Sequence, residues 1–329
     1  MNPASAPLAV VTGGSGFVGS HIVDELLLRG ARVRAIVRRS SSRRWLEGKP
    51  VELVDAALED AGALAAALEG ADWVVHAAGL IKARRAEEFH EVNVLGTERL
   101  LRAAADARVR RFLYVSSQAA GGPSADGRPV TEEQRPHPVS AYGESKLRGE
   151  QLVLMAANRL PVSVIRPPAV YGPRDSAILK AFTLAKWHLE PVLRPGGRFS
   201  MVHVADLATA AYAALTHEAA VGEVFFACEP DVTDYEEFGR CIRESLRAWT
   251  VRLTVPRWLL APIALAAEGW ARAAGQAPLL SREKLREIAA GDWISSSRKI
   301  RDRLGWEPRT RLREGIQATT DWYREAGWL

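Results

Sequence analysis

Tyr142 and Lys146 stand four residues apart in Ala-Tyr-Gly-Glu-Ser-Lys, inside a stretch with helical patterning. On a helix this spacing puts both side chains on one face, one turn apart, so an ammonium can lie close to a phenol and favour its ionised form. A free phenol has a pKa near 10, and bringing it to around 7 takes roughly 4 kcal/mol of differential stabilisation of the phenolate. The pair reads as acid–base chemistry, with a tyrosine that gives and takes a proton and a lysine that holds it ready.

A second group lies near the start, Thr12-Gly13-Gly14-Ser15-Gly16-Phe17-Val18-Gly19. It follows an apolar run and opens a helical pattern, the context in which such glycines bind a dinucleotide. Gly13 permits the tight turn, Gly16 lets backbone amides approach a pyrophosphate, and Gly19 allows close packing of helix on strand. The second strand should end near the adenosine ribose, where an acid would select NAD. Val37-Arg38-Arg39-Ser40 has none. Arg38, helped by Arg39 or Ser40, would instead give charge-assisted hydrogen bonds of about 1.5–3 kcal/mol each to a 2′-phosphate. NADP(H) is the expected cofactor and NAD(H) the alternative; a merely solvated basic loop is the other reading of these arginines.

The elements that must position these groups alternate along the first half. Strands are expected at Leu8–Thr12, Arg32–Val37, Val51–Val54, Trp73–His76, Arg111–Ser116 and Val162–Arg166, with helices at Phe17–Arg29, Ala61–Leu68, Glu87–Ala107 and Tyr142–Asn158. Apolar strands alternating with helices predict an α/β fold, a doubly wound parallel sheet covered on both faces. From Pro167 the proline and glycine content rises and a smaller, mostly helical substrate lobe begins. A dinucleotide-binding domain is expected over 1–166, rejoined by 199–217, where a strand Phe199–Val204 and a helix Ala205–His217 follow one another. The lobe would comprise 167–198 and 218–329, and Thr233-Asp234-Tyr235-Glu236 in it reads as a capping box.

At 329 residues, 47% hydrophobic and 25% charged, the chain falls in the ordinary globular range and can build a large core. Cys228 and Cys241 have neither metal-ligand nor redox spacing, so no metal is expected and a reducing, cytoplasmic setting is. The net charge of +5 comes from scattered arginines, apart from a cluster between Arg29 and Arg44 that lacks interleaved aromatics; nucleic acid is not an expected partner. Residues 1–7 have no basic leader pattern. The longest uncharged apolar stretch, Trp258 to Ala267, is about half of the roughly 20 residues a bilayer span needs. It reads as a core or lid helix of the lobe, with peripheral contact at a membrane surface as the alternative.

With the glycine loop, Tyr142-x-x-x-Lys146 and Asn93-Val94-Leu95-Gly96-Thr97 in order, the chain resembles the extended short-chain dehydrogenase/reductases. The resemblance includes His76-Ala77-Ala78-Gly79, Val115-Ser116-Ser117, Arg166-Pro167-Pro168-Ala169-Val170-Tyr171-Gly172-Pro173, His203-Val204-Ala205-Asp206-Leu207 and Leu304-Gly305-Trp306-Glu307-Pro308. It implies Tyr142 as proton donor and acceptor, Lys146 on the nicotinamide ribose, and Ser117, with Ser116 as the adjacent alternative, on the substrate oxygen. Both serines also read as strand-end caps. Asn93 would position backbone or water behind the lysine, or pin its own helix. The same resemblance implies Phe17, Val18, Ala77, Ala78, Gly79, Pro167, Ala169 and Val170 as cofactor-binding positions. His76 reads as a packed strand-end residue and Asp206 as the cap of the next helix.

Where such proteins usually have Gly-Asp-Leu, this chain has Ala56-Ala57-Leu58, so adenine recognition would fall to backbone near Leu58. Gln118 to Gly122 and Ala169 replace polar residues common in sugar-nucleotide epimerases and dehydratases. The chain is accordingly more similar to the 3β-hydroxysteroid dehydrogenase and dihydroflavonol reductase branch. That resemblance implies a ketone/alcohol oxidoreductase, acting on a hydrophobic or aromatic small molecule if Trp258, Leu259, Leu260, Ile263 and Trp270 line its site. A sugar-nucleotide epimerase or dehydratase and a non-catalytic NADP-binding sensor are the alternatives, and a homodimer is expected by analogy.

Overall fold

A computed structural model describes residues 6–194, 196–256 and 282–329, with the single positions 258, 262 and 265. In chain order its strands are β1 (Leu8–Thr12), β2 (Arg32–Val37), β3 (Val51–Asp55), β4 (Trp73–His76), β5 (Arg111–Val115), β6 (Val162–Arg166), β7 (Ala169–Tyr171), β8 (Leu189–Arg194), β9 (Arg198–Phe199), β10 (Met201–His203), β11 (Val224–Phe226), β12 (Thr233–Asp234) and β13 (Val251–Pro256). The first nine helices are α1 (Phe17–Leu28), α2 (Ala61–Ala67), α3 (Ala86–Phe89), α4 (Gly96–Asp106), α5 (Gln118–Gly121), α6 (Ala141–Met155), α7 (Leu179–Lys186), α8 (Val204–Thr216) and α9 (Tyr235–Leu246).

All five residues of β1 are buried, because both faces of the sheet are covered. Side chains alternate across a strand, and here Ala9 and Val11 enter one apolar cluster with Ile22, Val23 and Leu26 of α1 and Leu207, Ala211 and Leu215 of α8. Val10 enters the other, with Leu64 of α2, Leu100 and Ala104 of α4 and Val153 of α6. Each fully buried Val or Leu contributes about 1.5–3 kcal/mol. Seven parallel strands run β11-β6-β5-β4-β1-β2-β3. The order reverses at β1, which pairs with β2 and β4 so that Thr12 lies level with Ile36 and His76. The crevice where ligands bind in such sheets opens at that point.

Four expectations are corrected. The strand after residue 198 does not join the main sheet: β10 pairs with β7, and the seventh main strand is β11, beside β6, from a region expected in the lobe. Ile300 and Trp306 also enter the main core. The helix expected at Glu87–Ala107 is interrupted by a π-helical turn, His90–Leu95. Asp206 is not a cap; His203 caps α8, and the Asp206 carboxylate accepts the Arg309 and Thr310 amides at 3.0 and 2.9 Å, holding the approach to the helix Leu312–Glu325. The capping residue of α9 is Asp234, which accepts from the Glu236 and Glu237 amides, one residue later than the box expected from Thr233.

The lobe has its own small core of Tyr171, Phe182, Met201, Ile242, Ile316 and Tyr323. Two ties hold it to the nucleotide-binding side. Arg174 donates to Ser20 and Asp24 of α1 at 3.0 and 2.7 Å. Trp45, in the loop after β2, packs against Trp322 and Trp328 at ring separations of 5.8 and 6.2 Å, and Arg44 lies 4.1 Å over the Trp45 ring. Among the described residues no helix is long and apolar enough to cross a membrane. Leu259, Leu260, Ile263 and Trp270 lie outside the described residues; Trp258 is exposed.

Candidate active site

Gly13 has φ +71°, and a Cβ there would lie 2.6 Å from the Ala78 amide nitrogen. The loop after β1 therefore touches the loop after β4 only because glycine occupies this position. A Cβ on Gly19 would come within 2.1 Å of the Gly13 carbonyl oxygen. Gly16 is the N-cap of α1 and supplies no capping side chain, and the first turn, beginning with Phe17 and Val18, carries no acid. An uncapped 12-residue helix opening on a glycine loop suits a pyrophosphate. Arg38, Arg39 and Ser40 are all exposed just beyond β2, and Leu58 packs against Gly96.

Beneath the crevice His76 is fully buried. Its Nδ1 meets the Thr12 hydroxyl at 2.7 Å and its Nε2 the Thr97 hydroxyl at 2.9 Å. Burial first, and then the charge of Lys146, lowers its pKa to about 3, so it stays neutral and ties β1 and β4 to α4, as the sequence suggested. Asn93 lies in the π-helical turn, where its side chain accepts from the Leu80 amide at 2.7 Å and donates to the Leu80 carbonyl and Ser145 hydroxyl at 3.0 and 2.9 Å. It pins the loop containing Ala77, Ala78 and Gly79 to α6.

Ser140 caps α6, accepting from the Gly143 amide at 3.1 Å. A Cβ on Gly143 would sit 2.4 Å from the Ala119 carbonyl, so this glycine lets α6 press on α5 and brings Tyr142 to Ser117. Ser117 caps α5 through the Ala119 amide, and its hydroxyl lies close enough to Tyr142 to act on the phenol. Burial raises the Tyr142 pKa to about 12; the Ser117 hydroxyl opposes the rise and the charge of Glu287 adds to it. Glu287, from the helix Arg282–Ala289, accepts from Ser140 at 2.8 Å.

Lys146, expected to lower the Tyr142 pKa, aims its ammonium elsewhere. Its Nζ donates to the Val115 carbonyl at 2.8 Å and lies 4.2 Å from the Tyr114 ring centroid. Burial lowers its own pKa to about 7, against the pull of Glu150 one turn along. The space a Cβ on Gly79 would fill is flanked by Lys146 Nζ at 3.7 Å and Asn93 Oδ1 at 3.2 Å. Ser116 donates to the buried Glu150, whose carboxylate also accepts from Arg166 Nε and Nη2 at 2.9 and 2.6 Å. Of the two serines, only Ser117 is on Tyr142.

Tyr142 and Ser117 line a cavity of about 640 Å³. Pro168 and Ala169 border it, Pro167 accepts from the Gln118 amide at 2.8 Å, and Val170 packs on the main core. Among the described residues the apolar wall comes from Ile178, Leu184, Met201, Phe238, Ile288 and Trp293, scattered through the sequence. Glu150 was detectable as the next residue after Lys146 on the same helical face. Glu287 and Glu190, which also face the cavity, gave no sequence signal.

Residues 9–228 match the profile of the NAD dependent epimerase/dehydratase family. Over 332 residues the chain is 33% identical to a protein of Caulobacter vibrioides described as ceramide reductase, with 98% of this chain and 96% of that one covered. A protein of Mycobacterium tuberculosis described as 3 beta-hydroxysteroid dehydrogenase/Delta 5-->4-isomerase is 29% identical, with coverage of 95% and 90%. The crystal structure of gox2253 superposes with a TM-score of 0.82 at 29% identity, covering 97% of this chain and 98% of that one.

Proposed function

The chain belongs to the NAD dependent epimerase/dehydratase family as an NAD(P)-binding enzyme of the extended short-chain dehydrogenase/reductase type, and on that premise we propose that it interconverts a ketone and a secondary alcohol on a hydrophobic small molecule with NADP(H). The observation that carries the reading is the pairing of Ser117 with Tyr142 at the wall of a largely apolar cavity. A substrate carbonyl oxygen placed there would accept from both hydroxyls. Tyr142, whose pKa burial raises to about 12, holds its proton at neutral pH and would serve as the acid when the ketone is reduced. Ser117 holds the oxygen as negative charge develops on it. A bound nicotinamide would supply or accept the hydride.

Lys146 and Asn93 would act beside the space over Gly79: the ammonium is placed to bind the ribose there, and Asn93 keeps the Gly79 loop against α6. The exposed Arg38, Arg39 and Ser40, with no acid at the end of β2, favour a 2′-phosphate and hence NADP(H). The names of the two relatives, a reductase of a ceramide and a dehydrogenase of a hydroxysteroid, support an apolar substrate. Turnover of hydrophobic ketones with NADPH, assayed beside nucleotide sugars, tests the reading. Activity confined to the sugars overturns it in favour of the epimerase or dehydratase alternative.

A further inference from the structure

Glu287 reaches the start of α6 from another wall of the cavity. It stands 147 residues from Ser140 in sequence, yet the Ser140 hydroxyl donates to its Oε1 at 2.8 Å while the Ser140 oxygen accepts from the Gly143 amide. A hydroxyl that donates and accepts at once is fixed in orientation, and each bond strengthens the other. The second carboxylate oxygen accepts from Lys284 at 2.8 Å, and the Glu287 backbone carbonyl accepts from the Trp293 indole, also at 2.8 Å. Glu287 therefore joins the first turn of α6, where Tyr142 lies two residues past the cap, to the side of the cavity that Ile288 and Trp293 form. Around the phenol, the Phe89 ring of α3 lies 5.9 Å from the Tyr142 ring, Ser117 approaches from α5 and Tyr114 from β5. Lys146, on α6 itself, donates to the Val115 carbonyl; Glu144 pairs with Arg148; Lys180 of α7 lines the cavity from an exposed position.

We propose that Glu287 is a positioning residue for the proposed reaction: by holding the Ser140 cap it fixes the first turn of α6 against the cavity wall, and it sets its negative charge before the Tyr142 hydroxyl. The inference rests on the ketone-reducing reading of Tyr142 and adds to it a control that comes from the substrate lobe. The bond acts on placement, since a small displacement of an acid from the oxygen it must protonate costs rate rather than affinity. The charge acts on the proton, because a carboxylate near a phenol disfavours the phenolate; among the described carboxylates it is that of Glu287 that bears on Tyr142 in this way.

The test separates the bond from the charge. Glu287→Gln removes the charge and keeps an acceptor for Ser140; Glu287→Ala removes both; Ser140→Ala removes the same bond from its other partner. Fluorine NMR follows the full-length protein labelled with fluorotyrosine, and Tyr142→Phe identifies which of the six tyrosine signals belongs to residue 142. The ionisation midpoint of that residue falls by about half a pH unit in both Glu287 variants. Reduction of a panel of hydrophobic ketones, acetophenone and benzylacetone among them, is assayed with NADPH alongside. In Glu287→Ala kcat drops about tenfold with KM nearly unchanged, Glu287→Gln regains most of the loss, and Ser140→Ala loses as much as Glu287→Ala, with no further loss in the double variant. An unmoved midpoint in Glu287→Gln, an unmoved kcat in Ser140→Ala or Glu287→Ala, or additive losses in the double variant overturn the proposal. A midpoint that moves as expected in a protein that reduces none of the ketones supports the placement of Glu287 before the phenol and overturns the ketone-reducing reading instead.

Discussion

Ser117, the cap of α5, and Tyr142, in the first turn of α6, face one cavity together, and the serine hydroxyl acts on the phenol. Their approach depends on Gly143, which lets the two helices touch. Tyr142→Phe is expected to lower kcat for ketone reduction by about a hundredfold to ten-thousandfold with ligand affinity nearly unchanged. Ser117→Ala should cost less, about tenfold to a hundredfold. Steady-state kinetics with equilibrium binding check both, and full activity in Tyr142→Phe removes the assigned chemistry.

The Tyr142 hydroxyl keeps its proton far into the alkaline range, because burial raises its pKa to about 12. Ultraviolet difference titration of the cofactor-free protein and of Tyr142→Phe should therefore agree below about pH 11. A phenolate that appears in the unaltered protein near neutral pH and is missing from the variant contradicts the geometry.

Lys146 and His76 each make stability rise with pH, in two separate windows. The folded pKa of Lys146 is lowered from 10.5 to about 7, so between those values the unfolded chain binds more protons and stability rises with pH. The folded pKa of His76 is lowered from 6.5 to about 3, so stability falls as pH drops through that window. Denaturant unfolding at a series of pH values should show both slopes, and Lys146→Met should flatten the alkaline one and, by removing a charge that lowers the His76 pKa, also reduce the acid one.

Arg38→Glu is expected to weaken NADPH binding by about tenfold to a hundredfold and to reverse the preference over NADH, since a carboxylate repels the 2′-phosphate and can bond a ribose hydroxyl. Dissociation constants for the two cofactors decide it. An unchanged preference places the phosphate elsewhere.

Glu150→Gln breaks a buried ion pair that also holds the Ser116 hydroxyl. Loss of one partner from such a pair costs about 3–5 kcal/mol, read as a lower denaturation midpoint. Retention of the wild-type midpoint would mean that Arg166 finds another acceptor.

The strands β1, β2, β4 and β6 were legible to the residue, because each is an apolar run closed by glycine, proline or a polar residue that cannot continue it. β11 escaped because it is only Val224–Phe226, too short to show a period, and is a strand by virtue of its partner β6. The π-helical turn escaped as well, since one extra residue in a helical register leaves no compositional mark. In the site, Tyr142 and the glycines could be found from local spacing, and Ser117 from the family resemblance. The path of the Lys146 ammonium could not, because it depends on the Val115 carbonyl of another strand and on the ring of Tyr114. The cavity wall is likewise assembled from widely separated stretches of chain, and no local pattern ties Met201 to Trp293.

Trp45, wedged between Trp322 and Trp328 beneath the Arg44 guanidinium, moors the segment that follows the second strand to the far half of the molecule. The loop after β2, with its exposed Arg38 and Arg39, and the helix Leu312–Glu325 consequently share one mechanical footing.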